Sequence, residues 1–204
     1  MTRALTEVGF YGKLPCRGDF LQRRVPQDFV DIWDAWLQQW LHEIRERLQS
    51  AWLDSYLTGP VWRFALSSGV CGNGTYAGIL VPSVDRVGRY FPLTVIAQLQ
   101  SDDCPLAIAC GSPCLFEAAE SLVLEAIEAP ALDFDTFDEQ VALLRERLEF
   151  NSAATAGIPA GCRAMQPLAL WWTQGSNAMT ASWLCTHGLP DPRASVALLT
   201  GEGI

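Results

Sequence analysis

A chain of 204 residues, half of them apolar, has the material for one domain with a sizeable core, spanning 1–204. Its formal charge of −9 argues against nucleic acid as a partner, because phosphates must be neutralised by Lys and Arg, and seven cysteines with no CxxC pair fit no zinc spacing. The N-terminal MTRALTEVGF has no apolar h-region, and the longest uncharged run, 164–190, is interrupted by Gln166, Pro167, Gln174, Gly175, Asn177 and His187, so neither an export signal nor membrane insertion is expected. In chain order, residues 8–14 (VGFYGKL) predict a short strand and 14–24 (LPCRGDFLQRR) a loop. Pro26 suits the first position of a helix, with Asp28 and Asp31 in its first turn, where acids complement the dipole. Phe29, Trp33, Trp36, Leu37, Trp40, Leu41, Ile44, Leu48 and Trp52 then recur at helical spacing, with a break expected near Ser50 and an end at Gly59-Pro60.

Residues 61–68 and 75–82 predict two strands joined through Asn73-Gly74, the pair a tight hairpin turn prefers, and 91–99 a third. The stretch PSVDRVGRYFPL at 82–93 is the connection between the second and third strands of this meander. Helices are expected over 113–128 and 134–150, acidic on their outer faces, then a small-residue loop over 151–163. A second hairpin (167–173 and 178–185) and a short helix (194–200) close the chain. The order of elements points to an α+β fold: one mainly antiparallel β-sheet flanked by helices. Charge is uneven along it. Residues 101–150 hold twelve acids against two arginines, whereas 1–25 hold five bases against two acids. The acidic stretch reads as a solvated face.

Enzyme signatures are sparse. GFYGKL (9–14) is too short between its glycines for a phosphate-wrapping Walker loop, and Leu14 stands where a magnesium-binding hydroxyl is required. GNGTYAG (72–78) has no helix after it, and no GxSxG elbow exists. The chain has two histidines, His42 and His187. Cys185 and His187 would share one face of an extended strand, a possible nucleophile and base, although such dyads are rarely assembled from sequence neighbours. DFDTFDE (133–139) lacks the Gly and Glu of a calcium loop and reads as a helix N-terminus. No metal or cofactor is expected, and the cysteines read as buried, reduced small hydrophobes.

Two Arg/Asp/Gly stretches remain, 16–24 (CRGDFLQRR) and 83–93 (SVDRVGRYFPL). Arg17, Arg86 and Arg89 could converge on an anion such as a phosphorylated partner loop, because guanidinium forks match phosphate oxygens. Alternatively, Asp19 and Asp85 accept bidentate arginine bonds and satisfy loop amides, with Gly18 and Gly88 supplying positive φ. The second reading is the stronger, because buried arginines are normally paired. Trp36 and Trp40 fall to the side of the leucine-rich helical face and are the candidates for an aromatic docking surface.

GFYGKLPCRGDFLQRRVPQDFVDIWDAWLQ, WRFAL, PSVDRVGRYFPLT and the C-terminal WW and SWLCTHGLPDPRASVALLTG together resemble the TagF/ImpM family of type VI secretion accessory proteins over nearly the whole chain. Cys16 stands where serine is expected. The resemblance implies a longin- or profilin-like α/β/α sandwich and a cytoplasmic, non-enzymatic regulator. Such a regulator restrains assembly or firing of the apparatus after translation, within a threonine-phosphorylation circuit that includes a kinase, a phosphatase and a forkhead-associated (FHA) scaffold. It carries over no catalytic set. Gly12, Lys13, Arg17, Gly18, Asp19, Asp85, Arg86, Gly88 and Arg89 are expected to form a structural clamp or a partner contact, with the two loops side by side. The rival is a small hydrolase or nucleotide-binding enzyme gathering Arg17, Asp19, Asp85, Arg86 and Cys185 or His187 in one concavity.

Overall fold

The computed structural model describes residues 5–99, 104–129, 131–147 and 167–201, so the loop expected at 151–163, with Cys162, lies outside them. Among the described residues, seven antiparallel strands form one sheet: β1 (Leu5–Gly12), β2 (Leu21–Arg23), β3 (Trp62–Leu66), β4 (Thr75–Val81), β5 (Leu93–Leu99), β6 (Leu168–Thr173) and β7 (Ser182–His187). Their order is β2-β1-β5-β4-β3-β6-β7. The meander expected over 61–99 is therefore the centre of the sheet, and β1 completes it on one side.

Alternation along the central strands serves two cores. Trp62, Phe64 and Leu66 of β3 and Tyr76 and Leu80 of β4 face one side, and Ala65, Ala77, Ile79 and Val81 face the other. The first face is covered by α1 (Gln27–Leu48) and, after a 3₁₀ turn at Gln49–Ala51, α2 (Trp52–Leu57). A C-terminal 3₁₀ turn (Ala194–Val196) and α6 (Ala197–Thr200) add to it. The second face is covered by α4 (Pro113–Glu128) and α5 (Phe134–Leu143), with the short α3 (Pro105–Gly111) against β3 and β6. Helices on both faces of one sheet make an α/β/α sandwich. No single helix among the described residues is long and apolar enough to cross a membrane.

Tryptophan ties the first layer together. Trp33 stacks on Trp171 at 5.7 Å and donates its indole N–H to Thr94 Oγ1 at 2.9 Å, while Trp62 donates to the Leu198 carbonyl at 2.6 Å. Trp36 and Trp40 are both buried and stacked on one another, and Trp36 donates to the Pro190 carbonyl at 2.8 Å. They are core residues and not a docking surface, because the C-terminal segment covers the flank of α1 that local periodicity leaves open.

Other expectations shift. The 14–24 loop contains β2, paired with β1. Asn73-Gly74 does not form a two-residue turn: the β3–β4 connection spans 67–74, and its positive-φ residues are Gly69 and Gly72. α3 was not foreseen, having too few residues to display a period. The second helix expected on the acidic stretch ends at Leu143 and tightens into a 3₁₀ turn, Leu144–Arg147. β7 begins four residues later than expected. Cys71 and Cys104 are buried as small hydrophobes, but Cys110, Cys114 and Cys185 are exposed.

Candidate functional site

The two Arg/Asp stretches meet at the end of β1. Gly12, the last residue of that strand, has φ +133°, and a Cβ there would lie 2.0 Å from the Pro92 carbonyl oxygen. Only glycine lets the chain pass so close to the entry of β5. Lys13 follows, buried, and the backbone then turns, with the Arg17 N–H donating to the Leu14 carbonyl at 3.1 Å. The 82–92 connection is a small hairpin of its own. Val84 bridges Tyr90, the Asp85 N–H donates to the Arg89 carbonyl at 3.0 Å, and Gly88 at φ +84° closes the tip by donating to the Asp85 carbonyl at 3.0 Å. Gly18 does not have positive φ.

Asp85 sits at the junction, its side chain fully buried. Oδ1 accepts from the Val87 and Arg89 backbone N–H groups at 3.0 and 2.9 Å. Oδ2 accepts from Lys13 Nζ at 2.9 Å and Arg89 Nε at 2.6 Å. Burial alone pushes the Asp85 pKa up. The Arg89 backbone N–H, the Lys13 ammonium, the Arg89 guanidinium and the Val87 N–H together outweigh it and hold the carboxyl well below its ordinary value.

Further bonds join the two loops. The Arg86 N–H donates to the Arg17 carbonyl at 2.9 Å, Ser83 Oγ to the Lys13 carbonyl at 2.8 Å, and the Arg89 guanidinium to the Gly18 carbonyl. Tyr56 of α2 exchanges hydrogen bonds with the backbone of Ser83. The Lys13 ammonium lies 4.9 Å from the centre of the Phe20 ring, which in turn packs edge-on against Phe91 at 4.7 Å.

Neutralisation inside the loops is thus narrower than a full set of arginine–aspartate pairs. Arg89 pairs with Asp85, and so does Lys13, whose place in the pair no local spacing announces. Asp19 is exposed, with no hydrogen bond or ion pair to another described residue. Arg17 is exposed and lies over the Phe134 ring at 4.7 Å, and Arg86 is exposed beside Gly18. Two residues missed from the sequence lie exposed on the same loops: Phe20, against Tyr11 and Phe91, and Val87, next to Arg86, 51% and 65% exposed. Their only local signal is a large apolar side chain at a position where loop chemistry favours a polar one.

The rival constellation is not assembled. Cys185 and His187 do share the outward face of β7, but β7 is at one edge of the sheet and β1, with β2, is at the other. Five strand spacings separate β1 from β7, roughly 24 Å at the usual interval. Cys185 instead lines an apolar groove of about 540 Å³ with Trp183, Leu168, Leu170, Trp172, Leu106 and Cys110. Among its described lining residues, thiols are the sole ionisable groups. No group of three or more His, Cys, Asp or Glu that could hold a metal ion occurs among the described residues.

The family model described as TagF N-terminal domain, type VI secretion system-associated, matches residues 9–144. The chain is also similar to PA0076 from Pseudomonas aeruginosa PAO1, known from a crystal structure. The two are 38% identical, with a TM-score of 0.87, over 97% of this chain and 96% of that one. Among curated proteins none matches significantly.

Proposed function

This chain belongs to the type VI secretion-associated TagF family, and from that premise we propose that it is a cytoplasmic, non-enzymatic regulator that restrains assembly or firing of the secretion apparatus after translation. It acts through protein contacts within the threonine-phosphorylation circuit, with the FHA scaffold as the first partner to test. One observation carries this reading beyond family membership. The buried carboxylate of the Arg/Asp loops is saturated by four donors from Lys13 and its own hairpin, while Arg17 and Arg86 on the same loops face solvent. A carboxylate so held is a poor base and nucleophile, and such a surface suits contact better than chemistry. The clamp formed by Lys13, Asp85 and Arg89 keeps the two loops in register and so presents that surface.

Removing the gene is expected to raise secretion by the apparatus under conditions where it is normally quiet, and overproduction to lower it. Secretion that falls on removal, or is indifferent to both, refutes the regulatory reading. A thermal-shift screen with nucleotides and divalent metals is expected to show no stabilisation. A clear shift with one of them would favour the enzyme reading.

A further inference from the structure

The segments 13–24 and 85–89 carry six bases against two acids, in a chain whose formal charge is −9. Four of those bases have carboxylate partners: Lys13 and Arg89 pair with Asp85, and Arg23 and Arg24 with Asp138. Arg17 and Arg86 form no ion pair among the described residues. The Phe134 ring positions Arg17 without neutralising it, and the guanidinium of Arg86 lies 3.9 Å from where a Cβ on Gly18 would stand. Asp133 caps α5 through the Thr136 N–H and hydroxyl and keeps its charge, which attracts Arg17 from beyond ion-pair distance, so that Arg86 is the less compensated of the two. The backbone bond from Arg86 to Arg17 holds the two loop tips together. Val87, next to Arg86 at one tip, is exposed, and so is Phe20, three residues after Arg17, which stacks on Tyr11 and packs edge-on against Phe91.

Single exposed apolar side chains are ordinary, but two of them on loops tied to one another, with two exposed arginines that form no ion pair among the described residues, have the aromatic and arginine content of an interface. Resting on the regulatory reading above, we infer that Arg17, Arg86, Phe20 and Val87 form the partner-binding surface, and that its occupant is a short acidic segment of a protein partner carrying an apolar side chain among its carboxylates. The guanidiniums meet the carboxylates, and the apolar side chain is covered by Phe20 and Val87. Lys13, Asp85 and Arg89 hold the tips in place. Because the arginines face water, the attraction is steering and salt-sensitive.

The test titrates the isotope-labelled full chain with three synthetic peptides: phenylalanine between two pairs of glutamates, the same with lysines for glutamates, and the first with glycine for phenylalanine. The first is expected to shift the amide resonances of residues 16–20 and 85–89 and to weaken as salt is raised. The lysine peptide is expected not to bind, and the glycine peptide to bind several-fold more weakly. Arg17→Glu with Arg86→Glu is expected to weaken the first peptide at least tenfold while still folding, with Tm lowered by about 2–4 °C for the lost contact with Phe134. If that pair does not fold, Val87→Asp, at an exposed position of the tip, replaces it with the same expected loss.

Equal binding of the lysine peptide, shifts confined elsewhere, or unchanged affinity in the variants overturns the inference. So does concentration-dependent dimerisation abolished by the same variants, which would make a second copy the occupant. The two readings fail separately. Peptide binding with secretion indifferent to removal of the protein sinks the regulatory reading alone, and altered secretion without peptide binding sinks the surface alone.

Discussion

Replacing Asp85 by alanine tests whether the Arg/Asp loops are held by a buried charge. The substitution strands the Lys13 ammonium, whose side chain is 6% exposed, and frees two loop N–H groups. Arg89, with most of its side chain in water, can return to solvent at little cost. Stranding one member of a buried pair costs about 3–5 kcal/mol. In a chain of this size that lowers Tm by about 6–20 °C. Lys13→Met should cost less, about 1.5–3 kcal/mol, because Asp85 keeps Arg89 and two backbone donors. The double variant leaves no stranded charge and should be at least ~1 kcal/mol less destabilised than the sum. Urea unfolding followed by tryptophan fluorescence and circular dichroism measures all three. The pH dependence has a definite sign. The folded-state pKa of Asp85 is depressed from an ordinary value of 3.8, so the parent's advantage over Asp85→Ala is complete at pH 7. It begins to shrink as the pH falls toward 3.8 and is lost as the pH passes through the folded-state value. An Asp85→Ala protein within about 1 kcal/mol of the parent at pH 7, or a gap that widens in acid, refutes the argument.

Gly12→Ala should be destabilised by more than ~3 kcal/mol or fail to fold, since its Cβ would meet the Pro92 carbonyl at 2.0 Å, whereas Gly88→Ala, with nothing within 4 Å, should cost only the left-handed backbone penalty of about 1–2 kcal/mol. Calorimetry of the pair separates close approach from backbone strain. Trp36→Ala should cost about 3–5 kcal/mol and Trp36→Phe about 1 kcal/mol, the latter being chiefly the lost bond to Pro190. A Trp36→Ala protein as stable as the parent would restore this residue to the surface. In the native protein, maleimide should label Cys110 and Cys114 within minutes and leave Cys71 unmodified, because burial, with Asp28 adding to it, pushes the Cys71 thiol up to about 12. Peptide mass mapping reads the order, and early labelling of Cys71 would contradict its burial.

The layered arrangement was legible because strand alternation and helical spacing are local. Trp62, Phe64 and Leu66 alternate with Arg63 and Ala65, and Phe29, Trp33, Leu37, Leu41 and Ile44 follow one helical face. The sequence offered Asp85 and Asp19 alike as acids among arginines beside a glycine, and only Asp85 is buried and saturated, because that local pattern does not say which acid the neighbouring strand covers. Asn73-Gly74 misled because a turn dipeptide indicates a bend but not its length. α3 escaped because seven residues display too little of a period.

By itself, then, the sequence determined the apolar side of the central strands and the main face of α1, that the central strands pair in a meander, and the two stretches where acids and arginines share a bend. The tertiary structure alone decided which distant cation enters the bend. Lys13 reaches Asp85 across 72 residues because β1 lies beside β5 in the sheet, an order no local pattern encodes. It also decided how far each layer extends. Pro190 and Leu198 accept the indole N–H groups of Trp36 and Trp62, so the C-terminal segment buries aromatic surface that spacing leaves open, while Phe20 and Val87, as apolar as the core, stay uncovered. Periodicity encodes direction and solvent exclusion needs a partner, and partners far apart in sequence meet only once the strands are ordered.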